Sequence, residues 1–203
     1  MNAVILDYKK IYPSKIICAG RNYVGHIREL NNEIPSEPVI FIKPNSAITT
    51  EIHSGHKDEI HYEAEITLLI ISGKIHAVGF GLDLTKREVQ TRLKKAGLPW
   101  ERAKAFDGSA VFSEFVPVFG ITDNLKIELH INDKLIQKGS SDLMLTKPQQ
   151  LLEEIKSFIT LEDGDLIMTG TPQGVGKVNS GDQFVGRIFE KDRKITEGSW
   201  QVK

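Results

Sequence analysis

A mixed α/β fold, predominantly β and largely antiparallel with a few helices packed on the sheets, is predicted by three observations. Nine short runs rich in apolar and β-branched residues are divided by turn residues, and only three segments carry a helical signature. The two kinds do not alternate as parallel βαβ units would.

Taken in order, 15 to 19 (Lys15-Ile16-Ile17-Cys18-Ala19) reads as a buried strand. Cys18 is therefore expected to act as a small hydrophobe, since no basic neighbour or helix start is beside it to lower its pKa. Val24 to Leu30 is a short helical candidate, and strands follow at 39 to 42, 62 to 71 and 75 to 80. The first clear helix opens on the capping box Thr85-Lys86-Arg87-Glu88, carries Val89, Leu93 and Ala96 as its apolar stripe, and stops at Gly97 and Pro99. Strands are predicted at 110 to 118, 125 to 131 and 134 to 137, the last two joined by a tight turn at Asn132-Asp133. The second clear helix opens at Thr146-Lys147-Pro148-Gln149 and is expected to bury Leu151, Leu152, Ile155, Phe158 and Ile159. Strands at 165 to 169 and 183 to 189 complete the set.

No repeat, low-complexity tract or linker divides the 203 residues, so a single domain over 1–203 is expected. With 26 basic against 27 acidic residues there is no electrostatic case for nucleic acid or an anionic membrane. The longest apolar run, Ile66 to Ile71, is too short to span a bilayer, and Met1 to Asp7 lacks the pattern of a signal peptide. A single cysteine fits a reducing compartment, so a cytoplasmic protein is expected.

The chemistry begins with His61-Tyr62-Glu63-Ala64-Glu65. Strand side chains alternate faces, so Glu63 and Glu65 point the same way, and two like charges that close call for a cation. All-carboxylate ligation suits Mg2+ or Mn2+ better than zinc. The plain alternative is a solvated edge-strand face. Asp83 falls in the turn before the first clear helix and would be a third oxygen donor, or would merely cap that turn. His26 and Glu29 share one helical face, either as an imidazole oriented for general-base work or as a surface ion pair. Lys104 is a cation available for developing negative charge, although an isolated lysine is commonly just solvated. Met168 to Gly176 leaves a strand into a glycine-rich turn whose amides and threonine hydroxyls suit a carboxylate. It lacks the spacing of a Walker loop, and a purely structural turn is its alternative. His53 and His56 read as a surface loop, and His61 as a neighbour of the two glutamates.

Five ordered motifs carry a resemblance: Gly20-Arg21-Asn22-Tyr23 with His26 and Glu29; Tyr62-Glu63-Ala64-Glu65; Leu82 to Gln90; Lys104 to Ser109; and Thr169-Gly170-Thr171-Pro172-Gln173-Gly174-Val175-Gly176. In that order and spacing the chain resembles the fumarylacetoacetate hydrolase family, specifically its short, single-domain acylpyruvate hydrolase and oxaloacetate decarboxylase type. The resemblance implies a β-roll of the family's C-terminal-domain type, a homodimer, and Mg2+ or Mn2+ held by Glu63, Glu65 and Asp83. It also implies that His26 and Glu29 form a catalytic dyad on a mobile segment and that Lys104 is the catalytic lysine. Gln90 and Thr171 would lie against the bound 2-oxo acid, with Arg21 and Lys43 as further candidates for the pocket wall. Leu82, Leu84, Lys86 and Glu88 depart from the family's usual pattern around the metal aspartate, as does Ala105 after the lysine, which bears on substrate preference.

The implied reaction is metal-dependent hydrolysis of an acylpyruvate to pyruvate and a carboxylic acid, with oxaloacetate decarboxylation on the same site. Isomerisation, hydration or decarboxylation of longer oxo-diacids in aromatic catabolism, and oxaloacetate tautomerisation, are alternatives. A non-catalytic dimeric binding protein is the alternative from another class.

Overall fold

The computed structural model describes residues 1–55, 57–118 and 124–203. Its centre is an eight-stranded sheet ordered Val39–Pro44, Lys15–Gly20, Leu166–Met168, Ala64–Ile71, Lys74–Asp83, Ala110–Phe112 and Ile48–Thr49, with Val116–Pro117 also paired to Lys74–Asp83. All its pairings are antiparallel except Lys15–Gly20 with Leu166–Met168 and Ile48–Thr49 with Ala110–Phe112. A four-stranded antiparallel sheet, Lys134–Ser140, Leu125–Ile131, Gln183–Glu190 and Arg193–Gln201, packs on one face of it. A small sheet of Gly176–Lys177, Ile60–Tyr62 and Thr85–Lys86 borders the site, and Val4–Leu6 pairs with Lys9–Ile11.

The run Ile66 to Ile71 is apolar on both sides because the central sheet is covered on both faces. Ile66, Leu68 and Ile70 face the four-stranded sheet and meet Ile127, Leu129, Phe184 and Ile188. Leu69 points the other way, into a second cluster with Ile16, Cys18, Phe115 and Met168. Cys18 is fully buried there, and burial, with the charge of Asp83 beyond it, pushes its thiol well above the ordinary range.

The β-dominated, largely antiparallel class read from the sequence is the one observed. Several boundaries differ, each for a local reason. The 62 to 71 run is broken at Glu63 between Ile60–Tyr62 and Ala64–Ile71. The strand expected at 75 to 80 continues to Asp83, and the one at 110 to 118 is divided by Ser113 to Phe115. Arg193–Gln201 is invisible to the pattern because its polar outer face leaves few apolar residues to mark it.

The helices are Val24–Glu29, Arg87–Lys95, Glu101–Lys104 and Pro148–Lys156. The Thr85 capping box does not form: Thr85 lies in a strand, and its hydroxyl accepts a hydrogen bond from Lys104 Nζ at 2.6 Å. The Pro148–Lys156 helix starts one residue later than its signal, with Gln150 Oε1 accepting from the Lys147 N–H at 3.0 Å. It buries Leu151, Leu152 and Ile155 as expected. Phe158 lies beyond the last turn and is 58% exposed, so its predicted place in the core is corrected.

Candidate active site

The two-strand register assembles the acidic centre. Ala64 pairs with Leu82 and Glu65 with Gly81, and the Asp83 N–H donates to the Glu63 carbonyl at 2.8 Å, so Asp83 stands opposite Glu63. Residues opposite one another share a face, and alternation puts Glu65 on that face too. All three carboxylates are buried and offer oxygens within 4.8 Å of one another. Asp83 therefore closes a strand; the expectation that it lies in a turn is corrected, and its convergence with the glutamates follows from pairing.

Cations hold this cluster unevenly. Lys104 Nζ donates to Glu63 Oε2 at 2.9 Å, Asp83 Oδ2 at 2.6 Å and Thr85 Oγ1 at 2.6 Å, while Arg87 Nη2 pairs with Glu63 Oε1. Burial alone would raise the Glu63 carboxyl, but Lys104 and Arg87 hold it far below the usual carboxylate range. Burial works against the Lys104 ammonium, and Asp83 and Glu63 outweigh it, raising its pKa. Glu65 receives one backbone donor, the Gly170 N–H at 2.6 Å, and among the described residues no cation contacts it. Burial, then the charges of Asp83 and Glu63, push its carboxyl well up.

A hard divalent ion fits these residues. The donors are all oxygen, and Asp83 Oδ1 is buried without a directed hydrogen-bond donor among the described residues, although the Lys43 ammonium is 2.8 Å away. Glu65 lacks the compensating charge that an ion would bring.

The helix Val24–Glu29 brings His26 and Glu29 to this centre. His26 is buried, its Nδ1 lies 3.1 Å from Glu29 Oε2, and its ring is near enough to Glu63 for a proton on it to favour that carboxylate. Glu29 Oε1 accepts from the Gly174 N–H at 2.9 Å, which docks the helix on the glycine-rich turn. Gly174 has φ 102°, and a Cβ there would stand 2.4 Å from the Ile136 carbonyl, so a side chain is excluded on both counts. Gly170, at φ 96°, likewise turns the chain so that its N–H meets Glu65.

Among the remaining candidates, Thr171 is buried beside Gly170, with its Oγ1 accepting from Gln137 Nε2 at 2.9 Å. Gln90 is buried and accepts from Arg87 Nη1 at 2.8 Å. Arg21 lines a cavity of about 220 Å³ with Asn22, Glu37 and Thr146. Lys43 is different: it has no exposed surface, and its ammonium meets Asp83 and the carbonyls of Lys104 and Ser109. The expectation that it stands on a pocket wall is corrected; it supports Asp83 from within. His61 pairs with Glu59 at 2.6 Å and makes no hydrogen bond to a carboxylate of the cluster, while His53 pairs with Glu51 at the surface. His56 lies outside the described residues.

Three site residues escape the sequence reading. Arg87 and Gln90 share a helix face at a spacing of three, a local signal that could have found Arg87. Gln137 gives none, because its role depends on long-range packing, and Tyr23 is marked only by its place in the Gly20-Arg21-Asn22-Tyr23 motif. The Tyr23 hydroxyl is buried without a partner among the described residues, and burial, then the charge of Glu65, raises its pKa.

The model of the fumarylacetoacetate (FAA) hydrolase C-terminal family matches residues 15–199. The chain belongs to the fumarylacetoacetate hydrolase family. Two relatives are named oxaloacetate tautomerases: the mitochondrial oaa1 of Schizosaccharomyces pombe, 37% identical over 93% of this chain and 95% of its own, and YcgM of Escherichia coli, 39% identical over 89% of both. In structure the chain is similar to the fumarylpyruvate hydrolase of Pseudomonas aeruginosa solved with Mn2+ and pyruvate, at TM-score 0.89 and 28% identity over 99% of this chain and 95% of that one. It is thus a member of an enzyme family. No helix among the described residues is long and apolar enough to cross a membrane.

Proposed function

We propose that this chain is a divalent-metal-dependent enzyme of short 2-oxo acids whose principal reaction is the keto–enol interconversion of oxaloacetate. The observation that carries the proposal is the convergence of three buried carboxylates beside a buried histidine whose ring is held by a docked glutamate. The names of the two relatives favour tautomerisation over the C–C hydrolysis first read from the sequence.

When bound, Mg2+ or Mn2+ supplies a Lewis acid for the carboxylate and the 2-oxo oxygen of the substrate. Glu29 holds the imidazole with Nδ1 towards it, which leaves Nε2 to take a proton from the carbon beside the 2-oxo group. That carbon loses its proton and the 2-oxo oxygen gains one, so no water is consumed. The Lys104 ammonium offsets negative charge developing on that oxygen. The Thr171 hydroxyl receives the carboxylate.

The second reading is hydrolysis of an acylpyruvate, favoured by the likeness to the fumarylpyruvate hydrolase. There the same histidine takes a proton from water as it adds to the distal carbonyl, and the C–C bond breaks to a carboxylic acid and pyruvate. We read residues 1–203 as one catalytic unit on the span of its motifs, and the working form as a homodimer on the family resemblance.

The test is decay of oxaloacetate enol absorbance with metal-stripped protein reloaded with Mn2+ or Mg2+, run beside pyruvate release from acetylpyruvate. Metal-dependent enol decay that His26→Ala and Glu63→Ala abolish is the expected result. Equal rates in EDTA-treated and reloaded protein would overturn metal dependence, and faster pyruvate release than enol decay would establish the second reading.

A further inference from the structure

We propose that Gln137 is a positioning residue that fixes the Thr171 hydroxyl as a hydrogen-bond donor towards a substrate carboxylate. The inference rests on the reading above that Thr171 faces the 2-oxo acid.

Gln137 is 1% exposed on the strand Lys134–Ser140, which belongs to the four-stranded sheet. Its Oε1 accepts from the Ala64 N–H at 3.0 Å, and its Nε2 donates to Thr171 Oγ1 at 2.9 Å and to the Pro172 carbonyl at 2.8 Å. A backbone N–H can only donate and a carbonyl can only accept, so this amide has a single workable orientation. Thr171 Oγ1 is therefore an acceptor towards Gln137. The alternative acceptor for its own proton, the Pro172 carbonyl, is 3.4 Å away and already takes the shorter bond from Gln137.

Among the described residues that long contact is the hydroxyl's sole acceptor, which leaves its proton for a group outside the protein. Thr171 follows Gly170, whose N–H holds Glu65, and Ala64 lies between Glu63 and Glu65. One side chain thus ties the acidic strand to the glycine-rich turn and sets the polarity of the hydroxyl beside it. Close packing keeps the turn in place, since a Cβ on Gly139 would stand 3.0 Å from Pro172. A donor hydroxyl matches a carboxylate, which only accepts, and disfavours an amide that presents N–H at the same place.

The experiment compares wild type, Gln137→Glu, Thr171→Val and the double variant. It reads KM and kcat for oxaloacetate, the Kd of oxalate on Mn2+-loaded protein by calorimetry, the Kd of Mn2+ alone, and the melting temperature. The carboxylate introduced by Gln137→Glu would accept the Thr171 proton and turn it away from substrate. Expected are a rise of about tenfold or more in KM and in the oxalate Kd, a smaller change in kcat, and a Mn2+ Kd within about twofold. Adding Gln137→Glu to Thr171→Val should change the oxalate Kd no further.

An equal fold-change in both backgrounds, an unchanged oxalate Kd, or an equally large rise in the Mn2+ Kd would overturn the proposal. Should Gln137→Glu fail to fold, Gln137→Met takes its place under the same criteria, since it too removes the directed bond. If Thr171→Val alone leaves the oxalate Kd unchanged, Thr171 does not face the substrate and the proposal falls with that assignment. Additivity in the double variant, by contrast, overturns the proposal and leaves the site reading standing.

Discussion

Glu65→Gln should stabilise the metal-free protein while removing its response to Mn2+. Glu63 is balanced by Lys104 and Arg87 and Asp83 by Lys43 and Lys104, but Glu65 faces both acids with the Gly170 N–H for compensation. In the unfolded chain a glutamate ionises at about pH 4.3, whereas burial and the neighbouring charges hold this one protonated to higher pH in the fold. Its folded pKa is raised, so its contribution to stability declines as pH climbs above about 4.3 and keeps declining until the folded pKa is passed. Glutamine resembles the protonated acid, keeps an acceptor for Gly170 and has no charge to desolvate. A gain of about 1 kcal/mol at pH 7 follows, the low end of what relieving a buried, unpaired polar group is worth. For 203 residues the unfolding entropy is about 0.4 kcal/mol/K, so that gain is about 2–3 °C in Tm. Mn2+ at about 100 times its Kd should raise the wild-type Tm by about 6 °C, from about 2.7 kcal/mol of linkage, and the variant's by far less. The assay is calorimetric melting with EDTA and with Mn2+ from pH 5 to 8. A metal-free variant that melts below wild type at pH 7, or equal Mn2+ shifts in both proteins, would refute the reasoning.

Three other outcomes are expected. Asp165 accepts from the Ser14 hydroxyl at 2.7 Å, the Lys15 ammonium at 2.5 Å and three backbone N–H groups, so Asp165→Asn should cost about 1–3 kcal/mol by chemical denaturation. Burial opposes the depressed pKa of Asp165, but the Lys15 bond and the other donors prevail. Its contribution is present above about pH 4 and lost as pH falls through the folded value, so the variant's penalty should shrink in acid; a constant penalty would count against this account. Lys104→Met leaves Glu63 and Asp83 without a shared cation, so the metal-free protein should lose about 3–5 kcal/mol and show a larger Mn2+-induced rise in Tm than wild type. Leu152→Ala should cost about 2–5 kcal/mol and Phe158→Ser within about 0.5 kcal/mol, a contrast that equal losses in denaturant melts would erase.

Much of the fold and the acidic centre is legible in the sequence because periodicity and turn residues are local signals. Ile66 to Ile71 announces a central strand, and Glu63, Glu65 and Asp83 are brought together, though by cross-strand register instead of a loop. The Thr85 capping box misleads because its hydroxyl is taken by Lys104, a contact that local sequence does not encode. Lys43 enters as a pocket candidate through the family resemblance alone, whereas here Asp83 and carbonyls surround its ammonium. Gln137 carries no local pattern at all; its significance arises from three partners between 34 and 73 residues away.

The parallel pairing of Lys15–Gly20 with Leu166–Met168 has a consequence for synthesis. Until the ribosome has released residue 168, both Lys15–Gly20 and the apolar Ala64–Ile71 lack the neighbour that later separates them, and each presents an open edge. The nascent chain therefore passes most of its elongation with sticky backbone uncovered, and chaperone demand should fall abruptly once that last central strand emerges.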